Sequence, residues 1–450
     1  MLRKILIALL LIVIAIAIAL WVLSRPDQAR LSDAELTGRV PVMSAVRPQT
    51  FPTIAVADAV GWREDEAPEA APGLRVQRFA EGLDHPRQIL VLPNGDVLVA
   101  ESNKPPSDGG GITGAIARWM MGRAGAGVPS ANRITLLRDA DGDGVAEVKR
   151  PYITGLNSPY GMVLVGSTLY VANTDALLAF DYDPAAESIT TPGRKIVDLP
   201  ASGGNSHWTK ALAASLDGRT LFVGIGSNSN IGEKGMAWEQ GRALVLEVRP
   251  DIQYKRPYAS GLRNPSGLAT HPVTGDLWAT VNERDMLGSD MIPDYLTRVD
   301  FGAFYGWPWY YWGGFVDDRV EEADIDDRRS YVRRPEYALG AHVAPLGFGF
   351  ATGGLGQPWG DGAFIALHGS WNRSPRAGYK VVFVPFGPNG RPTDALPMDV
   401  LTGFLSPAGE ARGRPADSRQ ARDGSLLVAD DVGNIIWRVS RAEPAAATGQ

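Results

Sequence analysis

One unit recurs six times between residues 82 and 430: a turn marked by Gly or Pro, a short apolar strand, a Gly-containing turn, and a second strand ending in polar residues. The copies are Gly82-Leu-Asp-His-Pro-Arg-Gln-Ile-Leu with Asp96–Glu101, Gly155-Leu-Asn-Ser-Pro-Tyr-Gly with Leu169–Asn173, and His207-Trp-Thr-Lys-Ala-Leu with Leu221–Gly224. Then follow Gly261-Leu-Arg-Asn-Pro with Leu277–Thr280, Ala344-Pro-Leu-Gly-Phe-Gly with Phe364–His368, and Gly413-Arg-Pro-Ala-Asp with Leu426–Asp430. A short sheet cannot bury both faces by itself, so repeated sheets of this kind stack against one another. A pair of ordinary β-sandwiches could also use such turns, but here a matching strand follows every turn. The pattern therefore predicts an all-β, six-bladed β-propeller. In that architecture the turns of the inner strands meet at a central channel, where functional side chains are to be sought.

The flanks read differently. Arg3 and Lys4 precede an uninterrupted apolar run from Ile5 to Leu23, long enough as a helix, at about 28 Å, to match a hydrocarbon core of about 30 Å. The run ends without a small-residue cleavage pattern. It is expected to be a transmembrane anchor over residues 1–24, crossing the cytoplasmic (inner) membrane once and leaving the body on the periplasmic side. Residues 25–72, rich in Pro, Ala, Asp and Glu, read as a linker holding the body off the membrane. The propeller is expected over residues 73–441, and residues 442–450 as a disordered tail. A net charge of -6 argues against nucleic acid as partner, and the absence of Cys excludes disulfides, thiolate metal sites and a cysteine nucleophile.

Polar residues collect at the ends of the predicted strands. His207 lies at an inner turn, and imidazole suits removal of a hydroxyl proton near neutrality. His342 and His368 occupy comparable positions. The stretch from Gly261 through Asn282-Glu-Arg-Asp285 to Trp309 joins Arg263, Asn264 and an acidic group of Glu283, Asp285, Asp290 and Asp294. Arg412-Gly-Arg414 would, in extended backbone, send two guanidinium forks to one side, an arrangement suited to carboxylate or phosphate. Two apparent motifs are set aside. Gly109-Gly-Gly-Ile-Thr-Gly114 follows prolines rather than a strand, so it is no dinucleotide loop. Asp139-Ala-Asp-Gly-Asp-Gly144 opens like a calcium loop, but Arg150 stands where an EF-hand needs Glu. Two insertions interrupt the repeats: 104–132 is expected to form a short amphipathic helix or a lid, and 309–334 a wall over the channel.

The ordered set Gly261-Leu-Arg-Asn-Pro, Asn282-Glu-Arg-Asp, Tyr305-Gly-Trp-Pro, His368-Gly-Ser-Trp-Asn-Arg373 and Gly413-Arg-Pro resembles the pyrroloquinoline quinone (PQQ)-dependent sugar dehydrogenases, particularly their sorbosone dehydrogenase-like branch. The resemblance runs from about Val76 to Val439. It implies oxidation of an aldose or related sugar by proton abstraction and hydride transfer to the quinone. By this likeness His207 is the catalytic base, Arg263 and Asn264 flank the quinone oxygens, and Arg412, Arg414 and Arg373 bind the cofactor. A calcium ion would sit on the backbone at Arg284 and Asp285. Ser206 stands where the soluble glucose enzymes of the family have Asp, which leaves the partner orienting His207 open, with Asn205 a candidate. The electron acceptor is also left open, with the respiratory chain a candidate. Two other functions fit a propeller: a calcium-dependent lactonase or esterase using carboxylates such as Glu101 and Glu283, and a non-enzymatic binding module for glycans or proteins.

Overall fold

The computed structural model describes residues 2–23, 26–50, 52–106, 118–321 and 328–442. The Gly109–Gly114 run, part of each insertion and nearly all of the expected C-terminal tail lie outside them. Six four-stranded antiparallel sheets follow one another along the chain, and each recurrent unit supplies the first two strands of one sheet. Blade I holds Pro86–Val91, Val97–Glu101, Arg133–Arg138 and Val148–Ile153; blade II runs from Met162 to Asp198 and blade III from Leu212 to Ser260. Blade IV runs from Pro265 to Ala341 and blade V from Pro345 to Thr402. Blade VI combines Pro415–Gln420, Leu426–Asp430 and Ile435–Arg441 with Leu74–Glu81 from the other end of the body. The first strands of successive blades touch in a closed ring, I to VI and back to I. The six-bladed propeller read from the repeats is the observed fold.

Two local features aim side chains at the axis. In blades I, IV, V and VI the first strand opens on proline (Pro86, Pro265, Pro345, Pro415), and the pairing register shifts directly after it. Proline cannot donate to a ladder, so it opens the strand, and the irregularity turns the next residues toward the channel. Secondly, glycines let neighbouring first strands approach. A Cβ on Gly267 would fall 2.3 Å from the Leu346 carbonyl oxygen of blade V, and one on Gly161 would fall 2.5 Å from that of Lys210 in blade III. Between blades the contacts are apolar: Trp278 packs with Phe348 and Phe386 across blades IV and V, and Trp437 with Phe364 and Phe383 across V and VI.

The expected linker is instead held on the body. Thr37–Gly38 adds a fifth strand to blade IV and Glu69–Ala70 a fifth to blade V. Arg47 pairs with Asp27 at 2.7 Å and Asp290 at 2.9 Å, and the Trp62 indole donates to Asp430 at 2.7 Å. Sequence composition could not show this, because the bonds are made by backbone groups and by isolated side chains rather than by a periodic apolar face. Ahead of this strap, helix α1 spans Leu2–Leu23 and its described side chains are exposed. Among the described residues no helix is long and apolar enough to cross a membrane, and the side chains of several α1 residues are not among them.

The blade contact makes a stability prediction. Gly267→Ala should destabilise the fold by about 1–3 kcal/mol, because the added methyl meets rigid backbone across the blade boundary. Denaturant unfolding of the variant against the parent measures this, and an unchanged midpoint would refute the close-approach argument.

Candidate active site at the channel face

The starts of the first strands and the ends of the second strands lie on one face of the ring, as the pairings Pro86 with Glu101, Pro265 with Val281 and Pro415 with Asp430 require. The polar residues that follow these positions in sequence therefore meet. A cavity of about 170 Å³ opens there between blades III, IV and V, lined by His207, Arg263, Asn264, Glu283, Asp285, His342 and Asn372 among others.

His207 is fixed by one strong contact: its Nδ1 lies 2.8 Å from the Ser227 carbonyl oxygen. A carbonyl can only accept, so Nδ1 carries the proton and Nε2 keeps its lone pair. Burial first, and then the nearby Arg263 charge, push the imidazole down to about 3, which keeps it neutral at physiological pH. The partner expected for it, Asn205, faces elsewhere: it donates to Thr174 Oγ1 at 2.9 Å and accepts from Arg242 at 3.1 Å. Gly226 seats the ring, since a Cβ there would lie 2.4 Å from both His207 Cβ and Asn264 Oδ1.

Arg263 is locked by four bonds. It donates to the Asn230 carbonyl at 3.1 Å, the Glu283 carbonyl at 2.6 Å, Asn230 Oδ1 at 2.9 Å and Asp285 Oδ2 at 3.2 Å. Asp285 is further held by Asn372 Nδ2 at 2.7 Å and faces His342 Nδ1 at 3.6 Å. Burial alone would raise the Asp285 carboxyl, but Arg263 and His342 hold it down to about 2. His342, whose Nε2 reaches the Gly288 carbonyl at 2.9 Å, is raised: burial opposes its charge and Asp285 more than offsets that. Asn264 Oδ1 is buried in the cavity wall without a hydrogen-bond partner among the described residues.

A second buried group continues along the channel. Asp431 accepts from Arg87, meets His368 Nε2 at 2.9 Å and lies 3.5 Å from His85 Nε2. Burial opposes its charge, yet His368, His85 and Arg87 hold it well below the usual carboxylate range. Arg87 also lies over the rings of Tyr160 and Trp208, at 5.9 and 6.0 Å, which bridges this group to the residue after His207. Beside it, Arg414 is only 6% exposed. It bonds Tyr379 Oη at 2.7 Å, but no carboxylate among the described residues lies within 4.0 Å of its guanidinium, and its Nε has no partner. A buried cation without a counter-charge is costly, so this position is built for an anion.

Several sequence expectations are corrected. Arg412 does not join Arg414. It pairs with Glu66 at 3.2 Å over the Trp62 ring, because residues 412–414 precede the strand and do not alternate as extended backbone would. Arg373 turns away from the cavity to the Ser289 carbonyl at 3.0 Å and toward Asp33 of the strap, while Asn372 reaches the cavity. At 284–285 the carbonyl of Asp285 already accepts from Asn230 at 3.2 Å and Arg319 at 2.9 Å, which does not suit a calcium ligand. Arg284 is a buried structural cation donating to the Pro308 and Tyr310 carbonyls. The set Asp139, Asp141, Asp143 and Glu147 is the one cluster of potential metal ligands among the described residues; its fourth carboxylate is Glu147, three residues before Arg150. Sequence reasoning named Asp285 but gave its role to the backbone, and it missed Asn372, Arg87 and Asp431. Asn372 sat inside the quoted Trp-Asn-Arg run, and Asp431 directly followed the last strand of the repeat.

The closed six-bladed propeller is a fold with solved members. The holo PQQ domain of pyranose dehydrogenase from Coprinopsis cinerea superposes with a TM-score of 0.67 at 23% identity, covering 86% of this chain and 100% of that one. The calcium structure of the Trichoderma reesei family AA12 enzyme gives 0.67 at 20% identity, covering 87% and 99%. At these identities the likeness establishes the fold. In sequence, the PQQ-dependent pyranose dehydrogenase of Coprinopsis cinerea is 28% identical over 367 residues, 70% of this chain but only 44% of that protein. The family model described as TrAA12-like matches residues 68–294 and 315–436, and the chain belongs to this family within the PQQ-dependent sugar dehydrogenases.

His207 makes a pH prediction. Its folded value lies below the unfolded value of 6.5, so the unfolded chain takes up the proton first and stability falls as pH drops from about 6.5 toward 3. His207→Gln should give a shallower loss of thermal midpoint across that window than the parent. Equal slopes would mean that the imidazole is not held neutral.

Proposed function

We propose that this chain is a PQQ-dependent oxidoreductase that oxidises an aldose or a related, sorbosone-like sugar at a hydroxyl-bearing carbon. The observation that carries the reading is the pairing, along one channel, of a neutral His207 with an open Nε2 and a buried Arg414 without a counter-charge. The residues suit the cofactor: Arg263 and the unpartnered Asn264 amide would border its quinone, and Arg414 would hold a cofactor carboxylate. PQQ, when bound, supplies a quinone that accepts hydride. The protein's part is positional and electrostatic. A substrate hydroxyl donates to His207 Nε2, and the Ser227 carbonyl keeps the imidazole in the tautomer that can take that proton. The Asp285 charge favours the imidazolium that results, and Arg263, held by four bonds, stays in place as the charge moves. The burial of these groups excludes water and strengthens each interaction.

Calcium enters as a requirement to be measured, since the Asp285 carbonyl is already taken by Asn230 and Arg319. The lactonase alternative loses support. Glu101 is bound by Arg133 and Thr135 in blade I, apart from Glu283 in blade IV. The apolar composition of α1 supports a single-pass anchor in the cytoplasmic membrane, with the propeller on its outer side and electrons passing to a membrane acceptor. Carbonate washing of membranes should leave the full chain in the pellet, and release into the supernatant would overturn the anchor.

Titration with PQQ, with and without calcium, tests the function. At 100 times its dissociation constant the cofactor should raise stability by about 2.7 kcal/mol. Arg414→Met should abolish that shift. His207→Ala should keep it while lowering the rate of sugar oxidation about 10²–10⁴-fold. No shift with PQQ under either condition would overturn the reading.

A further inference from the structure

A larger groove of about 570 Å³ lies near the catalytic cavity, and the mechanism above does not use it. Its wall includes Asn205, two residues before His207, so the two Cα atoms are within about 7 Å of each other. The same wall is tied to the base from the other side. Asn228, which follows the Ser227 that holds His207, donates to the Trp238 carbonyl at 3.3 Å. The groove thus lies next to the segment that carries His207.

Its side chains have a consistent chemistry. Trp238 is 40% exposed at the groove wall, an indole face of the kind on which the C–H face of a pyranose ring packs. Lys234 holds its ammonium 5.1 Å from that ring centroid, presenting a charge next to the apolar surface. Lys104 lines the groove as well. Among the described residues neither lysine has a carboxylate within 4.0 Å. The one acid of the groove, Asp175, accepts from Asn157 Nδ2 at 2.9 Å, leaving an amide and a carboxylate oriented together for sugar hydroxyls. Among the described residues of the groove, two ammonium groups stand against one carboxylate.

We infer that this groove is a subsite for an acidic sugar, a uronate residue whose ring packs on Trp238 and whose carboxylate meets Lys104 and Lys234, so that the substrate is an acidic oligosaccharide presenting a neighbouring sugar to His207. The inference rests on the sugar-oxidising reading for its link to turnover, but the binding itself needs neither cofactor nor reaction. A uronate carboxylate on ammonium donors makes charge-assisted hydrogen bonds that a neutral hydroxymethyl group cannot replace.

The test is calorimetric titration of the full chain, without cofactor, with digalacturonate and with its neutral digalactose counterpart. The acidic disaccharide should bind at least about tenfold more tightly. Lys234→Gln and Trp238→Ala should each remove about tenfold of that affinity, and Trp238→Phe should restore most of the second loss. Raising the salt should weaken the acidic ligand selectively. Equal affinity for the two disaccharides, or acidic binding unchanged by Lys234→Gln, would overturn the subsite. Selective binding of the acidic ligand without oxidation of any sugar would leave the subsite standing and count against the dehydrogenase reading alone.

Discussion

Everything at the channel depends on ring closure, the antiparallel pairing of Leu74–Glu81 with Ile435–Arg441 that joins the two ends of the body in one blade. A propeller whose last sheet lacked this strand would expose a ladder edge and allow blades I and VI to part. The channel residues come from all six blades, so any opening of the ring would move Arg87 and Asp431 relative to each other and separate His207 from its neighbours. The prolines that open four of the first strands, and the glycines that let adjacent blades touch, serve the same closure. They fix how near the axis each blade sits, and therefore which polar residues meet.

Within that ring the arrangement of charge follows a simple rule. Cations whose work is structural are held by protein oxygens, Arg242 by carbonyls and Arg284 by two carbonyls and the carboxylates of Glu283 and Asp317, whereas Arg414 is buried with an aromatic ring and a hydroxyl but, among the described residues, no acid. The carboxylates divide likewise. Asp431 is held charged by Arg87 and two histidines, and Asp285 by Arg263, while burial pushes Asp294 up to about 7 in spite of two backbone N–H donors. His207, bonded to a carbonyl rather than to an acid, is left neutral. A base suited to a hydroxyl proton and a cation suited to an anionic ligand thus arise from the same low-dielectric channel, with the difference set by which partner each side chain lacks.

The segment before the propeller links the site to the N-terminal helix. Asp27 and Arg47 reach Asp290 and Ser289, a few residues from Asp285, and the backbone of Ala55 bonds that of Trp371 at the cavity rim. The strap therefore braces the two loops that carry Asp285 and Asn372.

The sequence alone determined the number of blades, because a turn-and-strand unit repeated six times has few ways to bury itself. It also determined the strand ends that face the channel, and from these His207, Arg263 and Asn264 were legible as neighbours. Which side chains within those turns reach the axis was decided only by the tertiary structure. Alternation holds inside a strand, but Arg412, Arg373 and Arg284 lie in connections whose path is set by packing. Arg412 went to the strap, Arg373 to the Ser289 carbonyl and Arg284 into the core. The partner of His207 was illegible for a different reason: it is a backbone carbonyl, and every residue has one. Asp431 and Arg87, 344 positions apart, meet only because the last blade closes on the first.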